Sequence, residues 1–389
     1  MTFTRSDRLQ ALPPYPLAEI DRKKRAAIAA GRDIIDFGIG DPDQPTYDFI
    51  VEAMNHAMRK PERQKYPFGG GIPEFRREIA AFFARRYGVK LDPQREVLAL
   101  IGSKEGIAHL PLAVVNPGQP VLIPEPAYPA YQAGTIFAGG VPDVFKLTAE
   151  RRWLPDLDAI PADVAKAAPL MFLNYPNNPT GATATLDFFR RAVDFARRHD
   201  VLVAQDAAYN ELYFADERPP SILQVPGASE VAVEFHSASK TFNMTGWRIG
   251  FVVGNADVIA ALAAVKANVD TGVFAAVQEA ACVAYANLDR PELHASRRMY
   301  PERAALFCEA LRGLGFTAEP PTATFYVWAR VPAGHNSAAV CDRLLEQANI
   351  VGVPGSSFGP AGEGYVRFSL SVPTERIRAA AARMKGLKW

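Results

Sequence analysis

Between residues 97 and 253, short apolar runs recur at intervals that predict buried strands. They are Val97-Leu-Ala-Leu-Ile101, Val121-Leu-Ile-Pro124, Leu170-Met-Phe-Leu173, Val201-Leu-Val-Ala204, Val231-Ala-Val-Glu-Phe235 and Ile249-Gly-Phe-Val-Val253. Each is short and largely apolar at odd and even positions alike. That pattern suits strands covered on both faces of a mostly parallel sheet. Between the runs, apolar residues recur at helical spacing. Thr185 stands as an N-cap before one such stretch, residues 186–198. Asp257 predicts the same role before residues 258–268. Strands alternating with helices make a layered α/β domain.

The C-terminal part has another rhythm. It reads as a helix over 301–314, a strand over 324–330, a helix over 337–348, a strand over 365–370 and a last helix over 374–386. This is a smaller α+β unit. The N-terminal arm, with Pro13, Pro14 and Pro16, cannot build a core of its own and is expected to lie over the small unit or a partner subunit. The expected division is a large domain of residues 45–285, and a small domain from residues 1–44 and 286–389.

Composition narrows the function classes. A chain of 389 residues with 49% apolar and 22% charged residues is ordinary for a globular protein. A net charge of +1 gives no basic footprint for nucleic acid. No apolar run is long enough for a membrane span, and the first residues lack the layout of a secretory signal. Cys282, Cys308 and Cys341 form neither a CxxC nor an even framework, which suits a reduced, cytoplasmic protein. The six histidines show no metal-binding spacing, so no metal is expected.

The candidate chemistry lies at the strand ends, where open α/β sheets place ligands. Gly102-Ser103-Lys104-Glu-Gly106 is a turn feeding a helix, a suitable cradle for an anion. It matches neither dinucleotide nor triphosphate motifs. Pro124-Glu-Pro-Ala-Tyr128-Pro-Ala-Tyr131 offers an aromatic face on a proline-fixed loop. Asn174-Tyr-Pro-Asn-Asn178-Pro-Thr-Gly181 offers an amide, and Asp206-Ala-Ala-Tyr209 a carboxylate and a phenol. Ser237-Ala-Ser239-Lys240 is followed by Arg248. A lysine amine is a covalent nucleophile toward carbonyls, and arginine grips phosphate with a planar fork.

Taken singly, each segment reads as a cap, a turn or a surface lysine. Together they supply an anion cradle, a stacking ring, an amide, a carboxylate with a phenol, and an amine with an arginine. One ligand needs that set, a planar phosphorylated pyridine aldehyde, and pyridoxal 5′-phosphate is such a ligand.

The chain resembles the fold-type I, aspartate-aminotransferase-like pyridoxal-phosphate enzymes over nearly its full length. The resemblance rests on Asn178-Pro-Thr-Gly181, Asp206-x-x-Tyr209, Ser237-x-Ser-Lys240, Gly246-Trp-Arg248-Ile-Gly250 and Arg367-Phe-Ser, in that order. Among them it is most similar to the LL-diaminopimelate aminotransferases, through Leu12-Pro-Pro-Tyr15, Gly38-Ile-Gly40-Asp-Pro-Asp43, Gly102-Ser-Lys-Glu-Gly-Ile107, Phe235-His-Ser and Asn243-Met-Thr-Gly-Trp-Arg248. The resemblance implies a homodimeric, cytoplasmic transaminase acting on an amino acid and a 2-oxo acid. Its best-fitting pair is LL-diaminopimelate with 2-oxoglutarate, in lysine synthesis.

The resemblance also implies roles. Lys240 anchors the cofactor covalently and moves the α-proton. Asp206 pairs with the ring nitrogen, Tyr209 and Asn178 bind the ring oxygen, and Tyr128 stacks on the ring. Ser103, Lys104, Ser237, Ser239 and Arg248 surround the phosphate, with Tyr66 reaching the neighbouring subunit's cofactor. Arg367 takes the substrate α-carboxylate, with Gly40 backbone and Asn178 beside it. Tyr15, Lys104, Tyr128 and Asn268 face the rest of the substrate. One departure is Pro67-Phe-Gly-Gly-Gly71, where bulkier residues are expected; its glycines make a permissive loop near the substrate entrance. Alternative readings are a transaminase for aspartate, alanine, an aromatic amino acid or succinyl-diaminopimelate, a carbon–sulfur lyase, and a regulator with a transaminase-like sensor domain.

Overall fold

The computed structural model describes residues 3–13, 16–387 and 389. A seven-stranded sheet lies at its centre. Its strands are β1 Val97–Leu100, β2 Pro120–Glu125, β3 Val141–Lys146, β4 Leu170–Asn174, β5 Leu202–Asp206, β6 Ala232–Ser237 and β7 Gly250–Gly254. They are ordered β1-β7-β6-β5-β4-β2-β3. β2, β3, β4, β5 and β6 pair in parallel, and β7 runs antiparallel to both β6 and β1. Six strands thus share one direction and only β7 is reversed.

Side-chain alternation explains why the runs are apolar at odd and even positions alike. Val97, Ala99, Met171, Leu173 and Val203 point into one core, with helices Pro73–Tyr87, Leu186–His199 and Ala275–Ala286. Leu98, Leu100, Leu170, Phe172 and Ala204 point into the opposite core, under Ser103–Val114 and Ala256–Val269. Both faces of the sheet are therefore buried.

A second body packs around its own core, which includes Phe37, Phe307, Phe325, Phe368 and Ile377. It carries a three-stranded antiparallel sheet in which Tyr365–Ser369 lies between Val353–Pro354 and Tyr326–Arg330. The helices Ser337–Ala348 and Thr374–Met384 begin at the expected residues. The arm forms helices Asp7–Gln10 and Pro16–Ala29, and Ile35–Asp36 pairs with Ile350–Val351. Lys23 meets Asp342, and Arg32 Nε donates to Asn349 Oδ1 at 2.7 Å, so this part of the arm lies on the small unit of its own chain.

Three local expectations need correction. Asn255, not Asp257, caps Ala256–Val269, accepting from the backbone N–H groups of Asp257 and Val258. β3 was not expected, because Val141-Pro-Asp-Val-Phe-Lys146 sits at a sheet edge and carries no buried residue. Pro301 lies inside the helix Pro291–Arg312 instead of opening it.

Candidate active site

Sheet direction gathers the candidate residues. The C-terminal ends of β1, β2, β4, β5 and β6 lie on one edge. β7 is reversed, so its beginning lies on that same edge. The register sets Gly250 opposite both Leu100 and Ser237. Three segments converge there: the Gly102–Ser103 turn, the Ser237–Lys240 segment and Arg248.

Gly102 opens the helix Ser103–Val114 at φ 75°, and a Cβ at this position would collide with the Arg248 guanidinium. Arg248 Nη1 donates to Thr245 O at 2.9 Å and Nη2 to Ile101 O at 3.3 Å. Ser237 Oγ accepts from the Ser239 backbone N–H at 3.2 Å. The N–H groups of a helix start, two serines and a guanidinium could together hold an anion.

Lys240 sits on the short helix Ala238–Thr241, and its ammonium donates to the Gly40 carbonyl. Burial pulls its pKa down to about 8; nearby Asp41 works against that shift, and the positive charges of Arg248 and Arg367 add to it. The site therefore holds an amine that sheds its proton far more easily than a solvated lysine.

Arg367 lies buried on Tyr365–Ser369, flanked by the Tyr326 ring at 4.4 Å and the Phe358 ring at 4.9 Å. Nη1 donates to Asn178 Oδ1 at 2.9 Å and Nη2 to Gly38 O at 2.6 Å. Its Nε is buried without a partner. Asn178 is itself fixed by its backbone N–H, which donates to Asn174 Oδ1 at 2.8 Å.

Asp206 ends β5 and is 5% exposed. Tyr131 Oη donates to its Oδ2 at 2.8 Å, and the Ala208 N–H to Oδ1 at 3.2 Å. Burial raises its pKa to about 6, against the pull of those two hydrogen bonds and of His236. No lysine or arginine pairs with it among the described residues. Tyr209 and Tyr326 share a hydrogen bond between hydroxyls at 2.9 Å, and burial pushes the Tyr209 phenol well above the ordinary tyrosine range.

Comparisons with known proteins give the family. The family model for class I and II aminotransferases matches residues 32–384. The chain belongs to the class I and II aminotransferases. It is 54% identical to the LL-diaminopimelate aminotransferase of Aquifex aeolicus, across 99% of this chain and 100% of that protein. It is 51% identical to the enzyme of the same name from Syntrophobacter fumaroxidans, across the full length of both. Among solved structures, substrate-bound BacF of Bacillus subtilis superposes with a TM-score of 0.95 at 38% identity, covering 100% of this chain and 99% of that one.

This aminotransferase works with pyridoxal 5′-phosphate, and the residues present fit that group. Asp206 is a buried carboxylate without a cationic side chain, and a protonated pyridine nitrogen would supply the missing charge. The turn at Gly102 and the Arg248 fork suit a phosphate. The lowered pKa of Lys240 suits an amine that must attack a carbonyl.

Tyr128 follows β2, with Lys104 Nζ 5.9 Å from its ring centroid. Tyr66 is 77% exposed beside Phe68, their rings 5.7 Å apart. Asn268 is exposed and donates to Ala264 O at 2.8 Å. Tyr15 lies outside the described residues. The loop after Tyr66 is tied down, because the Ala99 N–H donates to Gly70 O at 2.9 Å and the Ile72 N–H to Gln278 Oε1 at 2.7 Å. A cleft of about 720 Å³ borders the site; its lining includes Arg5, Leu12, Tyr128, Gln132 and Phe358, but not Lys240.

Four contributors escaped sequence reasoning: Tyr131, Tyr326, Gly38 and Phe358. Tyr131 was legible only as a packing aromatic, three residues after Tyr128. Tyr326 lies in an apolar run, and Phe358 is a lone aromatic in a serine- and glycine-rich loop; neither carries a chemical signal.

Proposed function

We propose that this aminotransferase takes the α-amino group of LL-diaminopimelate and delivers it to 2-oxoglutarate, in lysine synthesis in the cytoplasm. The observation that carries the reading is full-length identity of 49–54% to relatives named LL-diaminopimelate aminotransferase. The reading divides the chain into a cofactor domain of residues 45–285 and a small domain of residues 1–44 and 286–389.

When bound, pyridoxal 5′-phosphate acts as an electron sink for the substrate's α-carbon. The chain's residues do the rest. Ser103, Lys104, Ser237, Ser239 and Arg248 hold the phosphate. Asp206 keeps the ring nitrogen protonated, and Tyr128 covers one face of the ring. Asn178 Oδ1 is engaged by Arg367, which leaves its Nδ2 to donate to the ring oxygen beside Tyr209. Arg367 grips the substrate α-carboxylate, and its unpaired Nε supports that role. The Gly40 backbone lines the same place. Lys240 would anchor the cofactor covalently and, as a free amine, would take the substrate's α-proton and hand it on. Water would supply the oxygen of the 2-oxo acid that leaves, and the amino group left behind would pass to a second 2-oxo acid by the reverse steps.

Tyr15, Lys104, Tyr128 and Asn268 face the distal end of the substrate. The enzyme works as a homodimer in which Tyr66 reaches the partner's phosphate. The exposed Tyr66–Phe68 pair supports that arrangement, since large aromatics at a surface mark interfaces.

The test is a donor panel with 2-oxoglutarate: LL-diaminopimelate, aspartate, alanine, phenylalanine and succinyl-diaminopimelate. LL-diaminopimelate is expected to give the highest kcat/KM. A clear lead for any other donor overturns the substrate assignment.

A further inference from the structure

Behind the phosphate turn lies a buried charged cluster to which no role has been assigned. Lys266, on Ala256–Val269, is 3% exposed. Its Nζ donates to Glu105 Oε2 at 2.8 Å and to both oxygens of Asp270 at 3.1 Å. Glu105 lies one turn inside Ser103–Val114. Its Oε2 also accepts from the Ile101 N–H at 3.0 Å, and its Oε1 meets His109 Nδ1 at 2.8 Å. The carbonyl of Ile101 in turn accepts from Arg248 Nη2. Ile101 immediately precedes Gly102 and Ser103. Its two backbone groups are thus pinned, one by Glu105 and one by Arg248.

The ligand atoms of Glu105, His109 and Asp270 lie within 4.8 Å of one another, as they would around a metal ion. Here the Lys266 ammonium already bonds both carboxylates, so it fills the cation's place. A buried lysine needs a reason, because its desolvation is costly unless its partners are well placed. Both partners here are, and one of them holds the backbone at the mouth of the anion site.

We propose that Lys266 and Glu105 are positioning residues for the phosphate turn. Lys266 fixes the Glu105 carboxylate, Glu105 fixes the Ile101 peptide, and that peptide sets where the Gly102–Ser103 N–H groups and Arg248 point. Neither side chain need touch the cofactor. This rests on the reading that the turn binds the cofactor's phosphate.

The experiment compares two probes on the full-length cofactor-free chain: pyridoxal 5′-phosphate, and pyridoxal, which lacks the phosphate. Binding is followed by tryptophan fluorescence, and folding by circular dichroism. In Lys266→Met and Glu105→Gln the Kd for pyridoxal 5′-phosphate is expected to rise about ten-fold or more, while that for pyridoxal stays within about two-fold. Lys266→Arg should recover most of the loss. Equal weakening toward both probes, or no weakening, overturns the proposal. If Lys266→Met does not fold, Glu105→Gln decides, since it keeps the side-chain volume. If the unaltered chain itself fails to prefer the phosphorylated probe, the phosphate-turn reading falls instead.

Discussion

The Tyr131 hydroxyl donates to the Asp206 carboxylate at 2.8 Å, inside a core that excludes water from both groups. One hydrogen bond from a phenol and one from a backbone N–H do not offset the loss of hydration, so the carboxyl keeps its proton up to about pH 6. A cationic ring nitrogen would complete the site. The carboxylate is therefore placed for a ligand at the expense of the cofactor-free fold.

That relationship predicts a pH-dependent stability difference. The Asp206 pKa is raised on folding, from 3.8 to about 6. Below the lower value both states are protonated and nothing is lost. As pH rises through the window, the unfolded chain ionises first and the fold loses stability, by about 2–3 kcal/mol once past the upper value. Asp206→Asn removes this loss. In guanidinium unfolding of the cofactor-free chain, the variant should gain on the unaltered protein between about pH 4 and pH 6 and hold that gain above. A difference flat with pH would show that Asp206 is not the titrating group. Turnover in the variant should nevertheless fall steeply, because a neutral amide cannot keep the ring nitrogen protonated.

Lys240→Ala should reduce transamination to background while pyridoxal 5′-phosphate still binds through the phosphate site. Near-normal turnover in this variant would falsify the assigned mechanism. A second readout uses the amine itself. In the cofactor-free chain, acylation of Lys240 should rise with a midpoint near its pKa of about 8. Solvated lysines should follow roughly two units higher. Peptide mass spectrometry reads both from one digest.

Much of this was legible from residues alone, for a physical reason. A strand buried on both faces is largely apolar at odd and even positions alike, so β1, β2, β4, β5, β6 and β7 announce themselves. The polar residues just past their ends then stand out. β3 did not, because this edge strand has no fully buried residue and tolerates Pro142, Asp143 and Lys146. The helix Pro16–Ala29 was missed beside three prolines, although Pro16 at its first position is compatible with a helix start. In the site, Lys240, Asp206 and Arg248 were visible because charge at a strand end calls for a partner. Tyr131 and Tyr326 were not, because a buried tyrosine in sequence is indistinguishable from a core aromatic until its hydroxyl has a neighbour. Asp257 failed as a cap because the helix starts earlier: Asn255 accepts from the Asp257 and Val258 N–H groups, which puts Asp257 inside the first turn.

Arg367 tests whether shape or charge binds the substrate. The guanidinium is held from two sides by Asn178 and Gly38, and sandwiched near Tyr326 and Phe358. A lysine keeps the charge but cannot engage both holders and a carboxylate at once. Arg367→Lys should raise KM for the amino donor by about 10–100-fold, near the loss in Arg367→Ala, because the bidentate pair is gone in both. Steady-state kinetics at saturating cofactor provide the check. Full rescue by lysine would mean that charge alone suffices there.

The sharing of active sites between subunits can be decided by mixing. If Tyr66 serves the partner's cofactor, a Tyr66→Ala subunit still owns a good Lys240, and a Lys240→Ala subunit still lends a good Tyr66. A hybrid of the two then contains one intact site, built from Lys240 of the first and Tyr66 of the second. Random reassortment of equal amounts makes about half of the dimers hybrid, each with one working site of two, so about a quarter of normal activity returns. If Tyr66 served its own subunit, every site in the hybrid would carry a lesion. The mixture would then show no more than the average of its parents. The two arrangements predict different activities from the same tube, and a mixture at the parental average would place Tyr66 in its own chain's site.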